Sequence, residues 1–320
     1  MRIVFMGTGN IALPSFRRLL NKSNVVGLVT QPDRPVGRHQ VMTPPALKVM
    51  AEDADVPVLQ PESLRKPEAV QALAELKPDL IVVMAYGQIL SEEVISMPPL
   101  GCINAHASIL PRHRGASCIA AAIKEGDSST GVTIMHMVRK LDAGDIIKSV
   151  SLPLMGKETC GMMHDVLANL APDVLMDVIH SIESGTATRT RQNEYLATYA
   201  PKLQRSDGLI DWNLSAVEIE RAMRAYDPWP GTYTLFRDRK GRIKTLKLFP
   251  CAKVKKENRG VPGEILSIGE HGLLVACAEG ALLVPAVQPD GGKRMSVAQF
   301  AAGRPLDPGM IFNPVEDRNG

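Results

Sequence analysis

The first 150 residues alternate short apolar runs with stretches whose apolar residues recur every three or four positions. Residues 2–6, 25–30, 80–85, 101–106 and 131–137 read as buried strands, with a shorter one at 57–59. Helical periodicity fills 44–52, 67–76, 92–96 and 116–124. A further helix follows the first strand. Asn10 is its predicted N-cap, Pro14 falls in its first turn, and Ile11, Phe16, Leu19 and Leu20 share one face. Such alternation predicts a parallel-rich α/β sheet covered by helices, with chemistry at the carboxyl ends of its strands.

The pattern changes past residue 160. Residues 160–185 read as one long helix, and 188–207 are polar with little apolar period, which predicts a linker. A short helix over 215–225 precedes the rigid turn Tyr226-Asp227-Pro228-Trp229-Pro230-Gly231. Strand-like pieces then recur at 232–236, 245–249, 263–268, 272–276 and 281–287, punctuated by Gly and Pro, with no long helix between them. This predicts a small antiparallel barrel. The expected division is a catalytic domain over 1–187, a linker over 188–207 and a barrel domain over 208–320.

Composition agrees with a globular chain: 45% of the 320 residues are hydrophobic and 22% charged. No apolar run is long enough to span a membrane. No signal peptide is visible ahead of the first strand, so a bacterial-type cytoplasmic location is expected. Five cysteines without a CxxC pair predict neither a disulfide framework nor a zinc site, and no metal is expected. Nothing suggests an obligate oligomer, so a monomer is expected. The net charge of +3 hides an uneven distribution. Residues 237–259 hold ten basic and two acidic side chains, a local +8, against 27 basic and 32 acidic elsewhere. In a small barrel, such a stripe suits phosphate binding on RNA. The candidate contacts are Arg239, Lys240, Arg242, Lys244 and Lys247.

Two motifs compete for the chemistry. Gly7-x-Gly9-x-x-Ala12 after the first strand matches a dinucleotide fingerprint, with Asp33 near the place of a ribose-binding acid. On that reading the chain is an NAD(P)-binding oxidoreductase. The same glycines equally serve a tight strand-to-helix turn, and Asp33 lies between two prolines. The second motif is more informative. Asn104 and His106 stand two apart at a strand end, so their side chains share a face. A loop carrying Asp142 follows a later strand. An amide donor, an imidazole and a carboxylate meeting in one cleft fit acyl transfer: Asn stabilises the oxyanion, His handles protons and Asp orients His. No Ser or Cys occupies a nucleophile elbow, so a covalent acyl-enzyme is not suggested.

The Asn-x-His run through Ser108-Ile109-Leu110-Pro111 to Arg114-Gly115 resembles the 10-formyltetrahydrofolate-dependent formyltransferases. So do Ala85-Tyr86-Gly87, Gly131-Val132-Thr133-Ile134-Met135 and Leu141-Asp142-Ala143-Gly144-Asp145. The loop Gln31-Pro32-Asp33-Arg34-Pro35-x-Gly37-Arg38, Ile210-Asp211-Trp212 and the segment 224–230 resemble the branch that formylates initiator methionyl-tRNA. The resemblance covers nearly the whole chain. It implies a Rossmann-like formyltransferase domain and an OB-like barrel. It also implies 10-formyltetrahydrofolate as co-substrate, with Asn104, His106 and Asp142 catalytic. Ser108, Ile109, Leu110, Pro111, Ala85, Tyr86 and Gly87 would then line the folate pocket, and Arg34 and Arg38 would meet tRNA. Sugar-nucleotide and glycinamide ribonucleotide formyltransferases share the core and are the same-chemistry alternative. There are departures: Ala107 stands for a usual Gly, His113 for Trp, Ser117-Cys118 for Ala-Pro, and residues 39–41 lack the usual basic side chains.

Overall fold

The computed structural model describes residues 1–37, 39–250, 253–256, 259–303 and 306–313. They fall into two compact units. The first comprises residues 1–119, 129–153 and 162–201, and the second 120–128, 154–161 and 202–320.

In the first unit, the opening apolar run is β1 (Arg2–Gly7), whose residues are buried from Ile3 onward. A single 3-10 turn, Asn10–Ala12, leads into α1 (Leu13–Lys22). The predicted Asn10 cap is not used: Gly9 precedes the turn, and no side chain caps it. Next come β2 (Asn24–Val29), the short strands β3 (Arg34–Val36) and β4 (Val41–Thr43), α2 (Ala46–Glu52), β5 (Val58–Leu59) and α3 (Pro67–Glu75). The chain continues through β6 (Leu80–Met84), α4 (Glu92–Ile95), β7 (Cys102–His106), α5 (Cys118–Glu125), most of which is counted in the second unit, β8 (Ser129–His136), β9 (Ile146–Pro153) and α6 (Cys160–Glu183), which from residue 162 belongs to the first.

The seven-stranded sheet runs β5-β2-β1-β6-β7-β8-β9. Strands β5 to β7 are parallel, whereas β8 and β9 pair antiparallel. The sheet is therefore parallel-rich, with an antiparallel edge. Alternate residues of the central strands face opposite layers. Val4, Met6, Ile81 and Val83 join Val70, Leu73 and Val94 in one core. Phe5 turns the other way and meets Phe16 of α1, with ring centroids 5.1 Å apart. Chain order reverses direction across β1, so the ends of β1 and β6 open the crevice where α/β folds place ligands.

The second unit contains α7 (Ala216–Ala225), whose Ser215 and Glu218 form a reciprocal capping box. Strands β10 (Thr232–Arg237), β11 (Ile243–Leu248), β12 (Lys253–Lys255), β13 (Ile265–Gly269), β14 (Gly272–Ala276), β15 (Ala281–Val284), β16 (Ala286–Pro289) and β17 (Met295–Ser296) precede α8 (Val297–Gly303). They form two antiparallel sheets, β10-β11-β16-β17 and β12-β15-β14-β13. One core containing Trp212, Phe236, Leu246, Leu273, Val284, Val287 and Phe300 serves both. The run at 281–287 splits into β15 and β16, which belong to different sheets. Pro285 stands at the break, where a residue without an N–H cannot continue a ladder.

Candidate active site

The fingerprint loop decides between the two motifs. The Thr8 and Gly9 amides both donate to the Ala85 carbonyl at 3.2 Å, so they point across the sheet at β6. The Thr8 hydroxyl bonds the Tyr86 carbonyl, which also accepts from the Gln31 side chain, both at 3.2 Å. A bound pyrophosphate needs those donors. Asp33 is also committed. Lys48 reaches both its oxygens at 3.0–3.1 Å and Gln60 donates at 2.7 Å; the Gln60 and Lys48 hydrogen bonds hold its pKa below the usual carboxylate value. The glycines thus serve the turn and the Asp a local ion pair.

At the end of β7 the other motif assembles. Asn104 pairs with Val83 of β6 and Met135 of β8. Its side chain is half-buried and has no partner among the described residues, which leaves the amide available as a donor. His106 is 6% exposed. Its Nε2 lies 2.9 Å from the His113 carbonyl, and its Nδ1 lies 3.7 Å from Asp142 Oδ2. The latter is an ion-pair distance, too long for a full hydrogen bond. The same carboxylate oxygen accepts from the Gly115 amide at 2.7 Å. Burial pulls the His106 pKa down. The Cys118 sulfur, the Asp142 carboxylate and the His113 carbonyl outweigh it and hold the pKa up at about 9. The imidazole is therefore cationic near neutrality.

The surrounding loops are fixed by side chains that the sequence pattern did not single out. His113 and Gly115 adopt left-handed backbone, with φ of 60° and 115°. A Cβ on Gly115 would lie 2.5 Å from the Ala200 carbonyl oxygen, so only Gly fits. Arg114 is fully buried and bonds Gln192 and Glu194. The Arg114 amide donates to the Thr198 carbonyl, and the Ala200 amide returns to the Arg114 carbonyl at 2.7 Å. Residues 192–200, expected to be linker, thus pack on this loop within the first unit. Gln192, Glu194 and Thr198 supply these bonds, while Asn193, Tyr195, Leu196 and Tyr199 stay exposed. The sequence offers only a polar, aperiodic run here, which reads as a linker without the partner in view.

The remaining candidates divide by exposure. Ser108 and Leu110 are buried. The Ser108 hydroxyl donates to the Arg112 carbonyl at 2.8 Å, and the Leu110 amide to Thr133 Oγ1 at 3.2 Å. Ile109 and Pro111 are half-buried. At the end of β6, Ala85 and Gly87 are exposed, while the Tyr86 ring is sunk in the core, where burial pushes its pKa up to about 12. Arg34 is exposed on the β3–β4 hairpin, beside Val36, Val41 and Met42, each more than half exposed. Arg38 lies outside the described residues.

In the second unit, Arg239 and Lys240 occupy the exposed β10–β11 turn. Arg242 pairs with Asp238, and Lys247 lies opposite Tyr233 on β10. Lys244 and Lys247 are three apart and project from opposite faces. Among the described residues, no cluster of three or more His, Cys, Asp or Glu could hold a metal ion. No helix there is long and apolar enough to cross a membrane.

A half-buried amide and an imidazole at a strand end, with a carboxylate from a neighbouring loop, are the groups a non-covalent acyl-transfer site would need. Residues 1–179 match the formyl transferase model and residues 202–305 its C-terminal domain, and the chain belongs to the formyl transferase family. Within that family it is similar to methionyl-tRNA formyltransferases. It is 64% identical over 305 residues to that of Akkermansia muciniphila, covering 95% of this chain and 97% of the relative. It is 42% identical over 310 residues to that of Geobacter sulfurreducens, covering 97% and 96%. The fold is similar to WlaRD, a sugar 3N-formyl transferase, with TM-score 0.65, 16% identity and coverage of 90% of this chain and 97% of that one. HypX from Aquifex aeolicus, solved with tetrahydrofolic acid, gives TM-score 0.60 at 19% identity over 94% of this chain; this chain spans about half of HypX, 47%.

Proposed function

We propose that this chain transfers the formyl group of 10-formyltetrahydrofolate to the α-amine of methionine esterified to initiator tRNA. It would act as a monomer in a bacterial-type cytoplasm. The observation that carries the proposal is the Asn104, His106 and Asp142 cluster, with His106 held in its charged form by Asp142, Cys118 and the His113 carbonyl. The 64% identity to a methionyl-tRNA formyltransferase, over nearly the full length of both chains, supports the same substrate.

The folate supplies an activated formyl group. A free α-amine titrates near pH 8 and an ester lowers that, so a neutral nucleophile is available at about pH 7. Asn104 and the Nδ1–H of His106 lie on one face of β7 and donate to the formyl oxygen as charge builds on it. Nε2 stays on the His113 carbonyl, so Nδ1 is the donor with room to move. Asp142 balances the imidazolium and passes the amine proton, through water, toward the leaving nitrogen. The exposed Ala85 and Gly87 turn and the Ser108 to Pro111 run serve as the folate site. Beyond Gly87 the position of a Cβ has no atom within 4 Å, leaving space for a ring at the strand end. Arg34, Arg38 and the basic β10–β11 hairpin contact tRNA phosphates.

The test is incubation with 10-formyltetrahydrofolate and either methionyl-tRNA or a UDP-4-aminosugar. Formylmethionyl-tRNA alone is expected. Formylation of the sugar alone overturns the proposal.

A further inference from the structure

Gln192 is 5% exposed, and its amide uses every position it has. Oε1 accepts from Arg114 Nε at 3.1 Å and Nη2 at 2.8 Å. Nε2 donates to the main-chain carbonyls of Asp142 at 2.8 Å and Gly144 at 2.7 Å. A primary amide has two donors and two lone pairs, so this side chain is saturated. Its orientation is also assigned: a flipped amide would place NH2 against a guanidinium and oxygen against two carbonyls.

The loop it holds follows a constrained path. Asp142 has a φ of 47°, in the left-handed region that aspartate adopts more readily than most non-glycine residues. At Gly144 a Cβ would lie 1.7 Å from the His136 carbonyl oxygen, so the path is tight. The Asp142 carboxylate must reach both His106 Nδ1 and the Gly115 amide, and its backbone must be anchored for it to do so. Arg114 supplies the other end of the anchor. Its guanidinium is held on the far side by Glu194 Oε1 at 2.9 Å and Oε2 at 3.1 Å, and Glu194 also bonds Lys140.

We propose that Gln192 is a positioning residue for the transfer reaction: it ties the Asp142 loop to the buried Arg114, setting the carboxylate against His106. The inference deepens the proposed function and rests on it. A displacement of about 1 Å in a reacting group can cost on the order of 10²-fold in rate. The groups facing His106 are the Asp142 carboxylate and the Cys118 sulfur, with Arg114, Glu194 and Lys140 behind the loop.

The experiment compares wild type, Gln192→Leu and Gln192→Glu in methionyl-tRNA formylation, reading kcat, both KM values and the pH profile, with melting curves alongside. Gln192→Glu keeps the Arg114 contact and the side-chain volume but sets oxygen against the two carbonyls, so it carries the test if Gln192→Leu does not fold. The expected result is a kcat loss of about tenfold or more. Both KM values should stay within about twofold, and the alkaline limb should move to lower pH as Asp142 leaves His106. Folded Gln192→Glu with wild-type kcat and pH profile overturns the inference, as does a loss that merely tracks the unfolded fraction. Wild-type protein that fails to formylate methionyl-tRNA refutes the proposed function instead, so the two failures are distinct.

Discussion

His106 Nε2 donates to the carbonyl oxygen of His113 at 2.9 Å, across a loop that turns through left-handed backbone at His113 and Gly115. A carbonyl only accepts, so this bond assigns a proton to Nε2. The proton whose occupancy varies is the one on Nδ1, which faces Asp142 at 3.7 Å. Catalysis and pH response therefore meet at a single nitrogen.

The alkaline limb of the pH profile is expected to report His106. Its pKa is held at about 9, above the ordinary 6.5. The value of kcat/KM for methionyl-tRNA should rise as the amine deprotonates and fall as pH passes through about 9. The sign for stability follows. A histidine whose pKa is raised by folding contributes stability that is fully present below pH 6.5 and is lost as pH rises through about 9. The melting temperature should decline across that interval, and His106→Asn should flatten the decline. A profile without an alkaline limb up to about pH 10 would count against this assignment.

Cys118 is the group on His106 that no motif predicted. Its thiol is buried at the start of α5, and its contact helps hold His106 charged. Cys118→Ala should move the alkaline limb to lower pH, because it removes a contact that raises the His106 pKa. At about pH 7 its loss should be smaller than that of His106→Ala, since direct transfer needs no thiol nucleophile. If Cys118→Ala is as inactive as His106→Ala, the reaction passes through the sulfur and the direct route is wrong.

The three groups at the strand end carry the largest expected losses. Asn104→Ala, His106→Ala and Asp142→Asn should each lower kcat by about 10²-fold or more while leaving the fold intact. Single-turnover formylation with saturating folate, compared with far-ultraviolet circular dichroism, separates chemistry from misfolding. A variant that turns over within about twofold of wild type would remove that residue from the chemistry.

Asn104 and His106 were legible because a strand has period two and its apolar run ends at them. The buried strands β1, β2, β6 and β7 were legible for the same reason. β9 was not, because past the buried Ile147 the strand Ile146–Pro153 alternates half-buried and exposed residues and carries no continuous apolar signal. The antiparallel sense of β8 and β9 was equally hidden, since apolarity reports burial and not direction. The loop over 31–45 concealed the β3–β4 hairpin, whose apolar side chains are exposed and pack on no core. The most consequential omission is residues 192–200, where Gln192 and Thr198 bond main-chain atoms. No side-chain pattern encodes a partner that is backbone.

Gly115 tests how tightly that backbone must be held. Gly115→Ala faces a φ of 115° and the Ala200 carbonyl oxygen at 2.5 Å. A non-glycine residue forced into such backbone costs about 1–3 kcal/mol. Urea unfolding should register a loss in that range. Formylation should fall further than stability alone explains, because the Gly115 amide holds the Asp142 carboxylate. Equal stability and activity in the variant would mean that the loop relaxes freely.

The basic hairpin makes the last prediction, and the structure ranks its members. Arg239 and Lys240 sit at the exposed turn, and Lys247 lies on a strand face opposite Tyr233. Arg242 already has Asp238 as a partner at 2.8 Å. An exposed ion pair of this kind is weak, so Arg242 can exchange it for a phosphate, but with less net gain than an unpaired cation. Charge reversal of Arg239 and Lys240 together should therefore weaken tRNA binding more than two reversals that include Arg242. For every cation taken off a phosphate, the slope of log affinity against log salt should shrink by about one. Binding measured by filter retention from about 50 to 200 mM salt resolves this. An unchanged slope in the Arg239→Glu, Lys240→Glu and Lys247→Glu triple variant would return the hairpin to a solvated surface and leave the first unit's Arg34 hairpin as the tRNA contact.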